Sequence, residues 1–283
     1  RLRMTGSAWA YAFKAFGLWL LVIATLGLSY PWAATAMERM KMRATWYGDA
    51  QGDFTGTPGD LFRRGILIWL LAFGLPLLIL VSVALSIPPD LWKSLFTAVG
   101  GGTLDKHPAA GMIIIALSTA GILSVSIPIL LFPAFQAVLF RWRMNGVRIG
   151  GASLSSTFTI GTSYGVYIIG GLAIFGVLIL MAIVGAIVFG GLVAALFMGS
   201  SPALNSPAAG VTGIVLLVLA YLVFFGALWI AKQILIDLRL HRARFASLTV
   251  LNLAALDGVK ANNVNASAMG DSLGDAVDFG FGV

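Results

Sequence analysis

Four apolar stretches decide what this chain can fold into. Each is long enough to cross a bilayer, and none carries a charge in its middle. They run roughly Phe62–Ile87, Ala109–Phe140, Tyr164–Met198 and Gly210–Ile236, and a fifth, Phe16–Ala36, opens the chain. A helical crossing needs about 20 predominantly apolar residues. Hydrocarbon admits only helices and closed barrels, because every backbone polar group must find an internal partner. The expectation is an all-α fold, a multi-pass transmembrane helical bundle with internal repeats and about five spans. Charged residues make up only 10% of the chain against 59% apolar, where a soluble domain carries roughly 25% charged residues. With 283 residues, five spans leave little chain for a soluble catalytic domain, so residues 1–246 are read as one membrane domain.

The net charge of +7 is unevenly spread. Twelve basic residues stand beside span ends: Arg39, Lys41, Arg43, Arg63, Arg64, Arg141, Arg143, Arg148, Lys232, Arg239, Arg242 and Arg244. The remaining two loops hold Lys93 and Lys106, offset by Asp90 and Asp105. This is the positive-inside pattern and not the footprint of a nucleic-acid binder. It predicts that residues 37–64, 141–163 and 232–283 face the cytoplasm, and that 88–108 and 200–209 lie outside. Clustered juxtamembrane cations each contribute about 1 kcal/mol near an anionic surface. Arg39, Lys41, Arg43, Arg63, Arg64, Arg141, Arg143, Arg239 and Arg242 are therefore the candidate contacts for anionic lipid headgroups. No short apolar region with a cleavage site precedes the first stretch, so no signal peptide is expected.

A pattern recurs along the chain. Met4-Thr5-Gly6-Ser7, Phe54-Thr55-Gly56-Thr57 and Phe158-Thr159-Ile160-Gly161-Thr162 each precede an apolar stretch. A basic cluster follows it: Arg39-Met40-Lys41-Met42, Arg141-Trp142-Arg143-Met144 and Arg239-Leu240-His241-Arg242. The repeat units are about 4–48, 54–150 and 158–246, and such repeats point to a pseudo-symmetric bundle. Unit one holds a single apolar stretch where the others hold two. Either Phe16–Ala36 crosses once and leaves the N-terminus outside, which is the favoured reading, or it dips in and returns near Gly27–Pro31. The residue before a proline is biased away from helix, so Tyr30-Pro31 is a plausible break. Ala34–Tyr47 reads as an interfacial amphipathic helix with Met37, Met40, Ala44 and Tyr47 on one stripe. Pro128 and Pro133 are expected to kink the stretch Ala109–Phe140.

Small residues mark the stretch Tyr164–Met198. Gly161 and Gly165, Ala182 and Ala186, and Ala186 and Gly190 stand at small-x3-small spacing, which lets helices approach closely in lipid. Gly165, Gly170, Gly185 and Gly190 are the candidate packing glycines, within the chain or against a partner's helix. Residues 247–283 are polar and mildly acidic, and are expected to form a cytoplasmic tail that is loosely ordered.

Catalytic constellations are missing. The chain has no cysteine and two histidines, His107 and His241, neither at metal-ligand spacing. Glu38 is the only glutamate, which removes a carboxylate pair from the spans. No catalytic residue, cofactor or metal is assigned. The deepest polar candidates, Ser118, Thr119, Ser124, Ser126 and Gln136, can bond back onto their own helix. Two functions stay open: a non-catalytic membrane component binding lipid or other membrane proteins, and a transporter or channel for a lipid-like or small solute.

Tyr30-Pro31-Trp32, then Arg39-x-Lys41, Gly48 and Phe54-Thr55-Gly56-Thr57, resembles the YjgN-like family of bacterial inner-membrane proteins. Arg141 to Gly161 and the segment Ala246-Ser247-Leu248-Thr249-Val250 with Asn252 and Leu256-Asp257 also fit. The second copy departs at Pro133-Ala134-Phe135, and two residues read as added before Phe158. The resemblance implies an inner-membrane location, the repeat architecture and, through the family's association with membrane metallopeptidases, a membrane-protein partner. It implies no catalytic residue.

Overall fold

The computed structural model describes residues 2–101, 108–198 and 207–260, and for residues 2, 188–198, 207–214, 216 and 217 it gives the backbone alone. It divides into two compact units, Arg1–Ile160 with Leu248–Val283, and Gly161–Ser247. The helical bundle expected from the sequence is present. Among the described residues, four helical segments are long and apolar enough to span a membrane: Pro58–Ser86, Pro108–Gly146, Ile160–Ile187 and Val218–Ala246.

The first unit also contains what the sequence reading missed, a six-stranded antiparallel meander. Its strands β1 (Leu2–Met4), β2 (Thr45–Tyr47), β3 (Ala50–Phe54), β4 (Val147–Ile149), β5 (Ala152–Ser156) and β6 (Leu248–Leu251) lie in sequence order. Two tight turns, Gly48-Asp49 and Gly150-Gly151, join β2 to β3 and β4 to β5. Two-residue hairpin loops need left-handed backbone, and Gly48, Gly150 and Gly151 supply φ of +61°, +55° and +88°. The remaining strand pairs bracket the helices. β1 pairs with β2 around residues 5–44, β3 with β4 around 55–146, and β5 with β6 around 157–247. Each repeat is therefore a strand, an excursion of helices, and a strand that pairs with the first.

The strand pairing corrects the favoured path of Phe16–Ala36. α1 (Ala8–Ala24) and α2 (Tyr30–Ala44) form a hairpin that returns to the sheet, with Leu2 opposite Tyr47 and Met4 opposite Thr45. A single crossing would put β1 and β2 on opposite faces of the membrane. The turn closes α1 as a Schellman motif, with Gly27 N–H donating to Val22 O at 2.7 Å and Leu26 N–H to Ile23 O at 3.1 Å. Leu26 takes a left-handed φ of 51° there. α2 ends at Ala44, so Tyr47 belongs to β2 and not to an interfacial helix.

Repeat two uses α3 (Pro58–Trp69), a π-turn (Leu70–Gly74), α4 (Leu75–Ser86), the short α5 (Pro89–Gly100) and α6 (Pro108–Gly146). Pro128 and Pro133 lie inside α6 without ending it. The core under the sheet gathers Ala34, Phe54, Leu61, Leu139, Trp142 and Val147, with Phe54 edge-on to Trp142 at 4.9 Å. Helix starts are capped alike: the Ser7 and Thr57 hydroxyls accept from Ala10 and Asp60 N–H.

The second unit holds the long α7 (Ile160–Met198) from Gly161 on, α8 (Pro207–Lys232), a π-turn (Gln233–Asp237) and α9 (Leu238–Ala246). The tail does not begin as loose coil. β6 and a short turn (Leu253–Leu256) follow, Asn252 Nδ2 donates to Gly151 O at 3.2 Å, and Lys260 N–H donates to Asp49 Oδ1 at 3.1 Å. Residues 252–260 thus cover both glycine turns. The Leu273–Val277 segment lies outside the described residues.

Candidate functional site

Most of the basic residues lie where a helix runs into the second strand of its repeat; Arg63 and Arg64 lie instead in the second turn of α3. In the first unit Arg39, Arg43, Arg63, Arg64 and Arg141 are exposed, while Lys41 and Arg143 are half-buried. Arg143 Nε lies 2.7 Å from Glu38 Oε1. The only glutamate thus ties α2 of repeat one to α6 of repeat two. Arg39 Nη2 donates to Gly56 O at 3.3 Å, which fixes the end of α2 beside the start of α3. Arg63 pairs with Asp60 one turn back, at 3.2 Å. Between residues 38–64 and 141–148 eight basic residues face four acidic ones, Glu38, Asp49, Asp53 and Asp60. The result is a basic collar on the sheet side.

The second unit carries Arg239 and Arg242, both exposed, and Arg244, which is buried. It also holds an ion pair that the sequence reading did not find. Lys232 Nζ lies 2.9 Å from Asp237 Oδ2, inside the candidate span Val218–Ala246. Residues five apart stand about 140° apart on an α-helix. The i→i+5 bonding of the intervening π-turn brings these two onto one face. Tyr167 of α7 lies within electrostatic reach of Arg244, Asp237 and Lys232. No i,i+4 pattern could have signalled the pair; only the bulge creates it.

Compared with known families, residues 1–276 match the family model of a bacterial protein of unknown function, DUF898. The chain belongs to this family. Searches of curated proteins and of solved structures returned no match. The geometry of this DUF898 chain also revises the alignment of its own repeats. β3 and β5, and the helices starting at Pro58 and Ile160, all stand 102 residues apart. Thr57 therefore corresponds to Thr159 and Phe54 to Ser156, with no residues added. Phe158 has a parallel but distinct role, packing edge-on to Phe140 at 5.5 Å.

The candidate packing glycines of the DUF898 chain separate sharply. Gly170 is buried, and a Cβ there would stand 2.6 Å from Ile236 Cγ1 and 2.9 Å from Leu235 O. α7 thus reaches the π-turn Gln233–Asp237 backbone to backbone. A Cβ at Gly165 or Gly185 meets nothing within 4 Å. The surroundings of Gly190 lie outside the described residues. The polar positions of α6 do not line one continuous path. Ser118 is exposed, Ser124 is half-buried with its hydroxyl 3.5 Å from Pro76 O, and Gln136 is buried. At about 100° per residue, Ser124 stands about 240° round from both Ser118 and Gln136, and those two, though in line, lie 18 residues or about 27 Å apart along the helix. Thr119 and Ser126 bond back to Ile115 O and Ile122 O, as expected for hydroxyls in apolar helices.

Proposed function

We propose that this DUF898 chain is a non-catalytic component of the bacterial inner membrane that holds anionic phospholipid headgroups on its cytoplasmic, sheet-side collar and binds another membrane protein. One observation carries the lipid reading: Arg39, Arg43, Arg64 and Arg141 are exposed at the membrane-proximal ends of three helices, around a sheet that cannot itself lie in hydrocarbon. Positive-inside asymmetry supports the cytoplasmic side. The non-catalytic reading rests on Glu38 being engaged by Arg143.

The test is native mass spectrometry of the protein purified in mild detergent. Retained phosphatidylglycerol or cardiolipin is expected, and it should fall severalfold when Arg39, Arg43, Arg64 and Arg141 are changed together to Gln. Equal retention by the Gln variant would refute the collar. The transporter reading draws on the Lys232–Asp237 pair, since ionisable groups within spans often mark solute paths. Solute flux in vesicles that is lost in Lys232→Met would favour it.

A further inference from the structure

Hairpin α1–α2 reaches into the bilayer and comes back, and its depth can be read from fixed points along neighbouring helices. Trp69 Nε1, near the end of α3, donates to Leu26 O at the hairpin tip, at 2.9 Å. Trp69 lies five residues beyond Arg64, about 8 Å along the helix. On the hairpin itself, Tyr30 lies nine residues from Arg39, about 14 Å. Both basic residues belong to the collar at the membrane surface. A leaflet is about 15 Å of hydrocarbon, half of the roughly 30 Å core. The tip therefore stops short of, or at, the midplane.

The tip is built to sit there. Non-helical backbone at membrane depth is tolerated only where its polar groups are satisfied within protein. The Leu26 carbonyl takes the Trp69 indole; the Thr25 hydroxyl bonds Leu21 O at 2.8 Å and Ser29 Oγ at 2.8 Å; Ser29 N–H donates back to Thr25 Oγ1 at 3.1 Å. Gly27 turns the chain with a left-handed φ of +85° and lies beside the rings of Trp69 and Phe73.

The outer face of α1 tells what surrounds it. Trp9, Phe13, Phe16, Leu20 and Ile23 are 74%, 72%, 65%, 52% and 69% exposed. They recur at spacings of 4, 3, 4 and 3, the pattern of a single helix face. That spacing would also suit a seam with a second helix. The exposed sector is wider than a seam, however. With Ala10, Lys14, Gly17 and Leu21 also exposed, it covers about half the helix circumference at 100° per residue. A two-helix seam through this sector would also bury the Lys14 ammonium, whereas a lysine one to two turns from the surface reaches the headgroups by extending its stem. On the other arm of the hairpin, Trp32 of α2 is 51% exposed and packs on Phe62 of α3 at 5.6 Å.

We propose that α1–α2 is a one-leaflet hairpin: it inserts only into the sheet-side leaflet, and the acyl chains of that leaflet cover its stripe from Phe13 to Ile23, about 15 Å of helix, with Trp9 at the headgroup level. Repeat one then displaces lipid from one leaflet while repeat two displaces it from both. This inference does not depend on headgroup binding by the collar.

The chain has no native cysteine, so single-Cys variants of the full chain can be spin-labelled directly. Trp9→Cys, Phe16→Cys, Ile23→Cys, Leu28→Cys and Trp32→Cys are reconstituted into phosphatidylcholine–phosphatidylglycerol vesicles. Collision with oxygen and with a water-soluble nickel chelate gives each depth. The oxygen-to-nickel ratio should rise from Trp9 through Phe16 to a maximum at Ile23 and Leu28, then fall at Trp32, with no maximum beyond the midplane. Two positions report the tip, so a misfolded variant at either leaves the other. High nickel accessibility at Ile23 and Leu28 would mean that the tip emerges in water, and would overturn the proposal. Low accessibility to both reagents along the whole stripe would mean that protein, such as a second copy, covers it, and would overturn the lipid assignment.

Discussion

Repeats one and two share a frame and differ in what they hang from it. Both are strand pairs closed by a helical excursion: β1 and β2 bracket residues 5–44, β3 and β4 bracket 55–146. Both begin with a hydroxyl cap, Ser7 and Thr57, and both return through a basic turn of helix. Yet repeat one turns after a 17-residue helix, while repeat two sends out Pro58–Ser86 and returns on the 39-residue α6. The paired strands require only that each excursion comes back to its own side. They say nothing about how deep it goes. Sidedness is thus set by the sheet, and depth by the length of helix inserted between strands.

The shared frame should be the most sensitive point. Phe54 sits on β3, where repeat one passes into repeat two, and is buried against Trp142. Phe54→Ala should lower stability by about 3–5 kcal/mol, and hydrogen exchange should rise in both repeats together. Loss of protection in repeat two alone would break the idea of a common frame.

The contacts beside the two π-turns sharpen the comparison. Gly170→Leu meets Leu235 O and Ile236 and should cost roughly 1–3 kcal/mol through overpacking, seen as a lower detergent melting temperature. Gly185→Leu, in open space, should leave melting unchanged. Trp69→Phe removes the donor to Leu26 O, and a carbonyl left without a partner at membrane depth costs about 1–3 kcal/mol. Its effect should stay within repeat one, where exchange at Leu26–Ser29 rises while α6 is unaffected. The smallest effect has the opposite sign. Leu26 holds a left-handed backbone that disfavours a side chain by about 1 kcal/mol, so Leu26→Gly should be neutral or raise the melting temperature by a few degrees. A large fall would mean that the Leu26 side chain anchors the tip.

Much of the architecture was legible in apolar run length alone, because hydrocarbon leaves a chain so few options. The repeat was legible too, in Arg39 and Arg141 and in the Thr-rich segments before each helix. The sheet was not. Its strands are three to five residues long, too short for alternation to register, and their one signal was Gly48-Asp49 and Gly150-Gly151 between β-forming residues such as Trp46, Tyr47, Val147 and Ile149. Missing it left the path of Phe16–Ala36 open to the wrong choice. The ion pairs were hidden for different reasons. Glu38 and Arg143 are far apart in sequence, and Lys232 and Asp237 share a face only because a π-turn intervenes. Gly185 and Gly170 look alike in a glycine-rich helix; only the position of Leu235 tells them apart.

The central claim is that every excursion leaves from and returns to one side of the membrane. It is tested most directly by the accessibility of four single-Cys variants, Thr5→Cys, Asp49→Cys, Thr249→Cys and Asp90→Cys, to a membrane-impermeant maleimide in intact cells and in inverted vesicles. The sheet requires Thr5, Asp49 and Thr249 to respond as one group, and Asp90, at the far end of α4, to respond oppositely. Labelling of Thr5 from the side opposite to Asp49 would show that the first apolar stretch crosses the membrane, and would contradict the account.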